Sequence, residues 1–386
     1  MTNEIYFDNA ATTRVRPEVS ALIQKIMTED YGNPSSKHRK GFEAEQYLRT
    51  AREQIAATLR VKPGEILFTS GGTESDNLAI FGTALARSRQ GKHIVTCRIE
   101  HAAVYQPLLF LEQQGYEITF LPVDAWGHVD PAALEASIRP DTILVSLMYV
   151  NNEIGAIEPI EKLAQIVKEK NPDCYFHTDA IQAYSKLRIR PKKEHIDLLS
   201  VSSHKFHGPK GAGFLYIDEK VHLHPLILGG GQQHDMRSGT DNVPGAAGMA
   251  LAASLYDENY QENIKKLCAV KDHLLDRLSA MEGVRINSLR GMESAPQTLS
   301  ASFAGVRAEV LLHALEDEGI YVSSGSACSS NHPAISGTLK AIGLPKELLD
   351  STLRFSFGLF NTCEEADRCA DCIEMLLPKL RRFTRR

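Results

Sequence analysis

A lysine, an aspartate, a histidine and a pair of glycines each stand where an apolar, β-rich run gives way to a loop. Lys205 lies in "SVSSHKFHGPKGAGFLYI", after such a run and before a Gly-Pro turn, which puts its amine at a strand end. Desolvation or neighbouring cations turn a lysine into a nucleophile by lowering its pKa, and His204, His207 and Lys210 are close in sequence. The same stretch also reads as an exposed loop lysine. Asp179, in "FHTDAIQAY", closes another apolar run, where a buried carboxylate needs a cationic partner. In "FTSGGTESDNLAIFG" a run ends at Ser70-Gly71-Gly72-Thr73 and a helix starts at once, with Thr73 as its expected N-cap and Glu74 in the first turn. Glycines allow close backbone approach and a helix N-terminus attracts phosphate. The GK[ST] ending of a P-loop is missing. "RIEHAAVYQP" sets His101 just past a strand end. A lone histidine is often structural, but beside a cofactor a flat imidazole can stack on a ring and move protons.

A lysine for a Schiff base and an acid that keeps a ring nitrogen protonated are the pair that pyridoxal phosphate chemistry requires. A helix N-terminus supplies a seat for the phosphate. "SSGSACSS" (323–330) adds a thiol, Cys328, on a stretch of small residues that buries little apolar area and cannot anchor a helix. A buried structural cysteine would have apolar neighbours.

The elements that position these residues follow from periodicity. Helical spacing in "PEVSALIQKIMTEDY" and "KGFEAEQYLRTAREQIAATLR" precedes the β-rich runs "EILFTSG", "HIVTCRIE", "EITFLPVD", "TILVSLMYV", "YFHTDAIQ", "DLLSVSS" and "GAGFLYID". Helical stretches such as "TESDNLAIFGTALARSRQ", "AVYQPLLFLEQQG" and "IEKLAQIVKEKN" lie between most of them. This alternation predicts an α/β fold with a mostly parallel sheet covered by helices on both faces and a ligand beyond the strands' carboxyl ends. "LILGGGQQHDMRSGT" reads as a loop. After residue 255 a long helix and the short strands "TLSASFAG" and "STLRFSFG" predict a smaller α+β domain. The expected division is a large cofactor-binding domain, 15–255, and a small domain, 1–14 with 256–386, carrying a mobile cysteine loop at about 323–337.

Composition is ordinary for a soluble globular chain of 386 residues, 43% hydrophobic and 24% charged. A net charge of −5 gives no basic stripe for nucleic acid, and the closing "LRRFTRR" reads as a solvated helix end. The N-terminus lacks a signal-peptide pattern, no apolar run is long enough to span a bilayer, and seven scattered cysteines form no disulfide framework. These features predict a cytoplasmic location. "TCEEADRCADCIEMLLPKL" reads as an amphipathic helix opened by a Thr362–Glu365 capping box rather than as a metal site.

Taken in order along nearly the whole chain, "YFDNAATT", "YGNPSSKH", "FTSGGTESDNLAI", "EHAAV", "VNNEIG", "HTDAIQ", "SSHKFHGPKG", "RSGT", "SSGSACSS" and "LRFSFG" resemble the class V aminotransferase type of fold-type I pyridoxal phosphate enzymes, specifically the NifS/IscS group of cysteine desulfurases. The resemblance implies pyridoxal 5'-phosphate bound covalently to Lys205, with Asp179 on the pyridine nitrogen, Gln182 on the ring hydroxyl and His101 stacked on the ring. It implies that Gly72, Thr73, Ser202 and His204 hold the phosphate, joined by Thr240 of a partner subunit in a homodimer. Asn152 belongs to both the cofactor and the substrate site, Asn33 lines the same pocket, and Arg354 grips the substrate carboxylate. Lys205 and His101 are then catalytic, as is Cys328, which takes the sulfur of L-cysteine as a persulfide and leaves alanine. A small, polar, glycine-containing arm suits a cysteine that must visit a cofactor and then an acceptor protein.

The acceptors implied are an iron–sulfur scaffold, with which Cys328 would transiently ligate a [2Fe–2S] cluster, or a tRNA-thiolating enzyme. No resident metal, direct nucleic-acid contact or membrane contact is expected. Two departures from the group stand out: Ser329 replaces a frequent threonine, and little follows "LPKLRRFTRR", where housekeeping bacterial relatives carry a scaffold-docking extension. The alternatives are a selenocysteine lyase, another class V lyase or aminotransferase, or a catalytically silent adaptor on an assembly platform.

Overall fold

The computed structural model describes residues 4–324 and 336–383. After the short strand β1 (Ile5–Tyr6), helices α1 (Pro17–Thr28) and α2 (Arg39–Leu59) lead into a seven-stranded sheet. Its strands are β2 (Ile66–Thr69), β3 (His93–Cys97), β4 (Glu117–Leu121), β5 (Thr142–Ser146), β6 (Tyr175–Asp179), β7 (Leu198–Ser202) and β8 (Gly213–Ile217). Interleaved are α3 (Gly72–Ala86), α4 (Ala102–Gln113), α5 (Pro131–Ser137) and α6 (Ile160–Lys170). The strand order is β2-β8-β7-β6-β5-β3-β4.

Residues of β3, β5, β6 and β7 are buried throughout, as expected of central strands sandwiched between helical layers. The edge strand β4 leaves most of its side chains at least partly exposed. Six strands run the same way and β8 runs against them, pairing antiparallel with both β2 and β7. The reversal has a simple cause. The link between β7 and β8 holds only a 3-10 turn (Ser203–Lys205) and the Gly-Pro loop, too short for the helical crossover that a parallel partner needs.

Beyond the sheet, α7 (Val243–Glu258) packs against α1 and α2, and α8 (Tyr260–Ser279) follows it. A second sheet joins β9 (Val284–Ile286), β10 (Thr298–Phe303), β12 (Ser323–Ser324) and β13 (Thr352–Ser356), all antiparallel, in the order β12-β13-β10-β9. Strand β11 (Ile320–Tyr321) pairs with β1, so the start of the chain is tied to the region that follows α9 (Ala308–Asp317). Two short helices, α10 (Gly337–Ala341) and α11 (Lys346–Leu349), precede β13, and α12 (Cys363–Phe383) closes the described chain against α8 and α9. The capping box opening α12 is present, with Thr362 N–H donating to Glu365 and Glu365 N–H to the Thr362 hydroxyl. None of the described helices is long and apolar enough to cross a membrane.

Candidate active site

The carboxyl ends of β2, β3, β5, β6 and β7 open onto one cavity of about 700 Å³. Gly72 and Thr73 enter it from the β2–α3 turn, His101 from the start of α4, and Asn152 from the loop after β5. Asp179 and Gln182 follow β6, while Ser202, His204 and Lys205 follow β7. Arg354 reaches it from β13. Residues far apart in sequence meet at one wall because those from the large sheet sit at or just past strand ends, while Arg354 comes from the middle of β13 in the second sheet.

Lys205 is held by main chain from the N-terminal segment. Its Nζ donates to the carbonyls of Ala10 at 2.6 Å and Ala11 at 2.8 Å. The amide of Gln182 donates to the same Ala10 carbonyl at 2.9 Å, which fixes the two side chains relative to each other. Behind them Lys186 is buried, and its Nζ donates to the Lys205 carbonyl at 2.6 Å. Burial, helped by the Lys205 charge, pulls Lys186 down to about 7. His204, bonded through Nδ1 to the Thr12 hydroxyl at 3.2 Å, is lowered to about 4 by burial and by Lys205, Lys210 and Lys186. At neutral pH it is therefore an uncharged donor or acceptor.

Asp179 is only 4% exposed, and its Oδ1 accepts the Ile181 N–H at 2.9 Å. Burial raises its pKa, while His101 and Lys205 oppose the rise. Behind it, on the inner face of α3, Asp76 is fully buried, 3.6 Å from His177 Nε2. Burial and the proximity of Asp179 push the Asp76 carboxyl well up, and burial takes His177 down to about 3, so the imidazole is neutral at physiological pH. His101 caps α4, its Nδ1 accepting the Ala103 N–H at 3.1 Å, which leaves the proton on Nε2.

The β2–α3 turn differs from its expected form. Thr73 is not the N-cap: α3 begins at Gly72, and Gly71 takes the capping position with φ 147°, a backbone angle that disfavours any side chain. A Cβ on Gly72 would lie 2.0 Å from Ile181 Cδ1, so the helix start is pressed onto the β6 loop. Glu74 also lines the cavity and pairs with Arg237 at 2.8 Å.

Arg354 is 7% exposed; its Nη2 donates to Asp8 at 2.9 Å and its Nη1 to the Asn152 carbonyl at 2.9 Å. The neighbouring Ser323, the residue opposite Arg354 on β12, also lines the cavity. Ser336, at the far side of the undescribed stretch, donates to Glu153 at 2.5 Å.

Two expected residues are not among those lining this cavity. Asn33 sits on an exposed turn with its Oδ1 taken by the Ser35 N–H, and it is not among the cavity's lining residues. Thr240 is exposed and lines an adjoining recess of about 210 Å³, which shares Ser70 and Gly211 with the main cavity. Cys328, with Ser329 and the centre of the expected mobile loop, lies outside the described residues.

Residues 5–369 match the model of the family described as aminotransferase class-V. The cysteine desulfurase IscS of Dictyoglomus turgidum is 45% identical over 382 residues, 99% of this chain and 96% of its own length. The cysteine desulfurase IscS of Methanosarcina thermophila is 43% identical, over 98% of this chain and 93% of its own. The chain belongs to the class-V aminotransferase family, on its cysteine desulfurase branch. Among solved structures, a NifS-like protein superposes on this class-V fold with a TM-score of 0.93 at 39% identity, covering 98% of this chain and all of the other. A structure of SspA in complex with cysteine superposes with a TM-score of 0.82 at 33% identity, over 93% of this chain and all of the other.

Class-V enzymes use pyridoxal phosphate, and the cavity fits that group. A buried carboxyl at Asp179 suits a protonated ring nitrogen, an amine stands within the cavity at Lys205, and the free N–H groups at the start of α3, beside Ser202 and His204, suit a phosphate. Sequence reasoning passed over Asp8 and Lys186. "YFDNAATT" signalled Asp8 only as part of a motif, and nothing local marks Lys186, since its contact with Lys205 is made entirely by the fold.

Proposed function

We propose that this chain takes sulfur from L-cysteine, releasing L-alanine and holding the sulfur as a persulfide on Cys328 for transfer to an acceptor protein. The observation that carries the reading is the meeting of Lys205, Asp179 and Arg354 in one cavity with the ends of the cysteine-bearing segment beside it.

Bound against Asp179, with its phosphate at Gly72, Thr73, Ser202 and His204 and its covalent link at Lys205, pyridoxal phosphate supplies an electron sink for charge developing at the amino acid's Cα. Arg354 anchors the substrate carboxylate and, with Asn152, sets which bond faces Lys205. The Lys205 amine removes the Cα proton. The Cys328 thiolate attacks the substrate sulfur: an S–S bond forms, the Cβ–S bond breaks, and protons returned to carbon give alanine. Carbon is reduced as sulfur is oxidised, so no outside reagent is consumed. His101 lies over the same space and is assigned to the ring face and to proton movement.

Cys328 is also favoured by what the other cysteines cannot do. Cys97, Cys174, Cys268, Cys363, Cys369 and Cys372 all have thiols pushed up by burial, Cys174 to about 12, and none lines the cavity. Thiolates are the competent nucleophiles, so these six are poor substitutes.

The adjoining recess at Thr240 supports a homodimer in which that threonine serves the partner's phosphate. The acceptor is assigned as an iron–sulfur scaffold or a tRNA-thiolating enzyme, and the location as the cytoplasm. The test is a product assay with L-cysteine, pyridoxal phosphate and reductant: alanine and sulfide in equal amounts support the reading, and pyruvate or a transamination product contradicts it. In the same assay Asp179→Asn keeps the acceptor for Ile181 N–H and loses the charge. Its alanine production is expected to fall by about 10²–10³-fold with melting temperature unchanged or raised; an unchanged rate would remove Asp179 from the ring nitrogen.

A further inference from the structure

Arg354 already holds a carboxylate. Its Nη2 donates to Asp8 at 2.9 Å, and the paired side chains are 8% and 22% exposed. Its Nη1 is fixed by the Asn152 carbonyl, and its Nε is buried with no hydrogen-bond partner among the described residues. Asp8 is rigidly placed. Its main chain bridges to Ser356 on β13, and its carbonyl accepts the N–H of Ala11, in the turn whose carbonyls hold Lys205. Glu153 also feels the Arg354 charge, which lowers its pKa against the raising effect of burial. The guanidinium is thus part-neutralised on the side that faces the cavity.

We infer that Asp8 is a specificity-determining residue, whose carboxylate at the mouth of the Arg354 fork admits zwitterionic amino acids and turns away carboxylates that lack an ammonium group or carry a second negative charge. A zwitterion offers Arg354 its carboxylate and offsets the Asp8 charge with its ammonium. A plain anion gains the first contact and meets like charge at the second. The inference rests on the proposed role of Arg354 as the substrate-carboxylate anchor.

The test compares propionate and succinate as competitive inhibitors of L-cysteine turnover by the holoenzyme. In Asp8→Asn the amide oxygen still accepts from Nη2, so the arginine keeps its orientation while the charge is lost. The ratio of the propionate Ki to the cysteine KM is expected to fall about tenfold, the size of one moderately screened charge contact, and the succinate ratio further. The same ranking is expected in the rise of melting temperature that each anion produces. Asp8→Ser, a smaller neutral residue, serves as a second variant and is expected to move both ratios in the same direction. Unchanged ratios in both variants, while Arg354→Gln weakens cysteine and both anions, overturn the role of Asp8 alone. If Arg354→Gln leaves the cysteine KM and both Ki values unchanged, the carboxylate binds elsewhere and the parent reading falls with it.

Discussion

Lys205→Met is expected to lower alanine formation from L-cysteine by about 10³-fold or more, the range that a positioned acid–base group supplies, increased by the loss of the covalent link. The substitution removes the amine that Ala10 and Ala11 aim into the cavity and leaves the cavity's shape nearly intact. Folding should be little affected, because the two carbonyls are left at a cavity wall that water reaches. Borohydride reduction followed by peptide mapping checks the link directly: wild type should carry the cofactor at Lys205, and the variant should carry none. Two other lysines are close enough to make this a real test. Lys210 lines the cavity, and Lys186, lowered to about 7, lies directly behind the Lys205 main chain. Cofactor fixed at either one in the variant, with activity retained, would contradict the assignment.

Cys328→Ser should leave the cavity and its cofactor spectrum unaltered while abolishing sustained sulfide production, again by about 10³-fold or more. A serine oxygen cannot form a persulfide, and only a thiolate attacks sulfur at a useful rate. No described cysteine offers relief. Cys97 is wholly buried and bonded to Glu100, and Cys369, also wholly buried, lies on α12. Alanine equal to wild type in the serine variant would mean that the sulfur leaves without a protein acceptor, as in a lyase.

The sequence made the seven strands of the large sheet legible because each is a short β-rich run, and three of them, β2, β6 and β7, give way to polar residues or a glycine turn. Asp179, Ser202 and the Ser70–Thr73 turn mark those ends. For the same reason most of the site was legible: in such sheets a polar residue at a strand end faces the ligand. The direction of β8 was less visible, since "GAGFLYID" carries no sense of direction and only the shortness of its link to β7 betrays it. The cap of α3 was misread because Thr73 has the usual capping chemistry, whereas Gly71 caps through a backbone angle that no composition rule reports. Asp8 and Lys186 act through contacts with residues 346 and 19 positions away, and such pairings are set by packing alone.

The most direct measurement is a single turnover. Reduced holoenzyme is mixed with less than one equivalent of L-cysteine, without reductant, and its peptides are mapped by mass while alanine is quantified. The account predicts one added sulfur atom on the peptide containing Cys328, matched one for one by alanine. Alanine accompanied by free sulfide, with Cys328 unmodified or the sulfur on another cysteine, would contradict it.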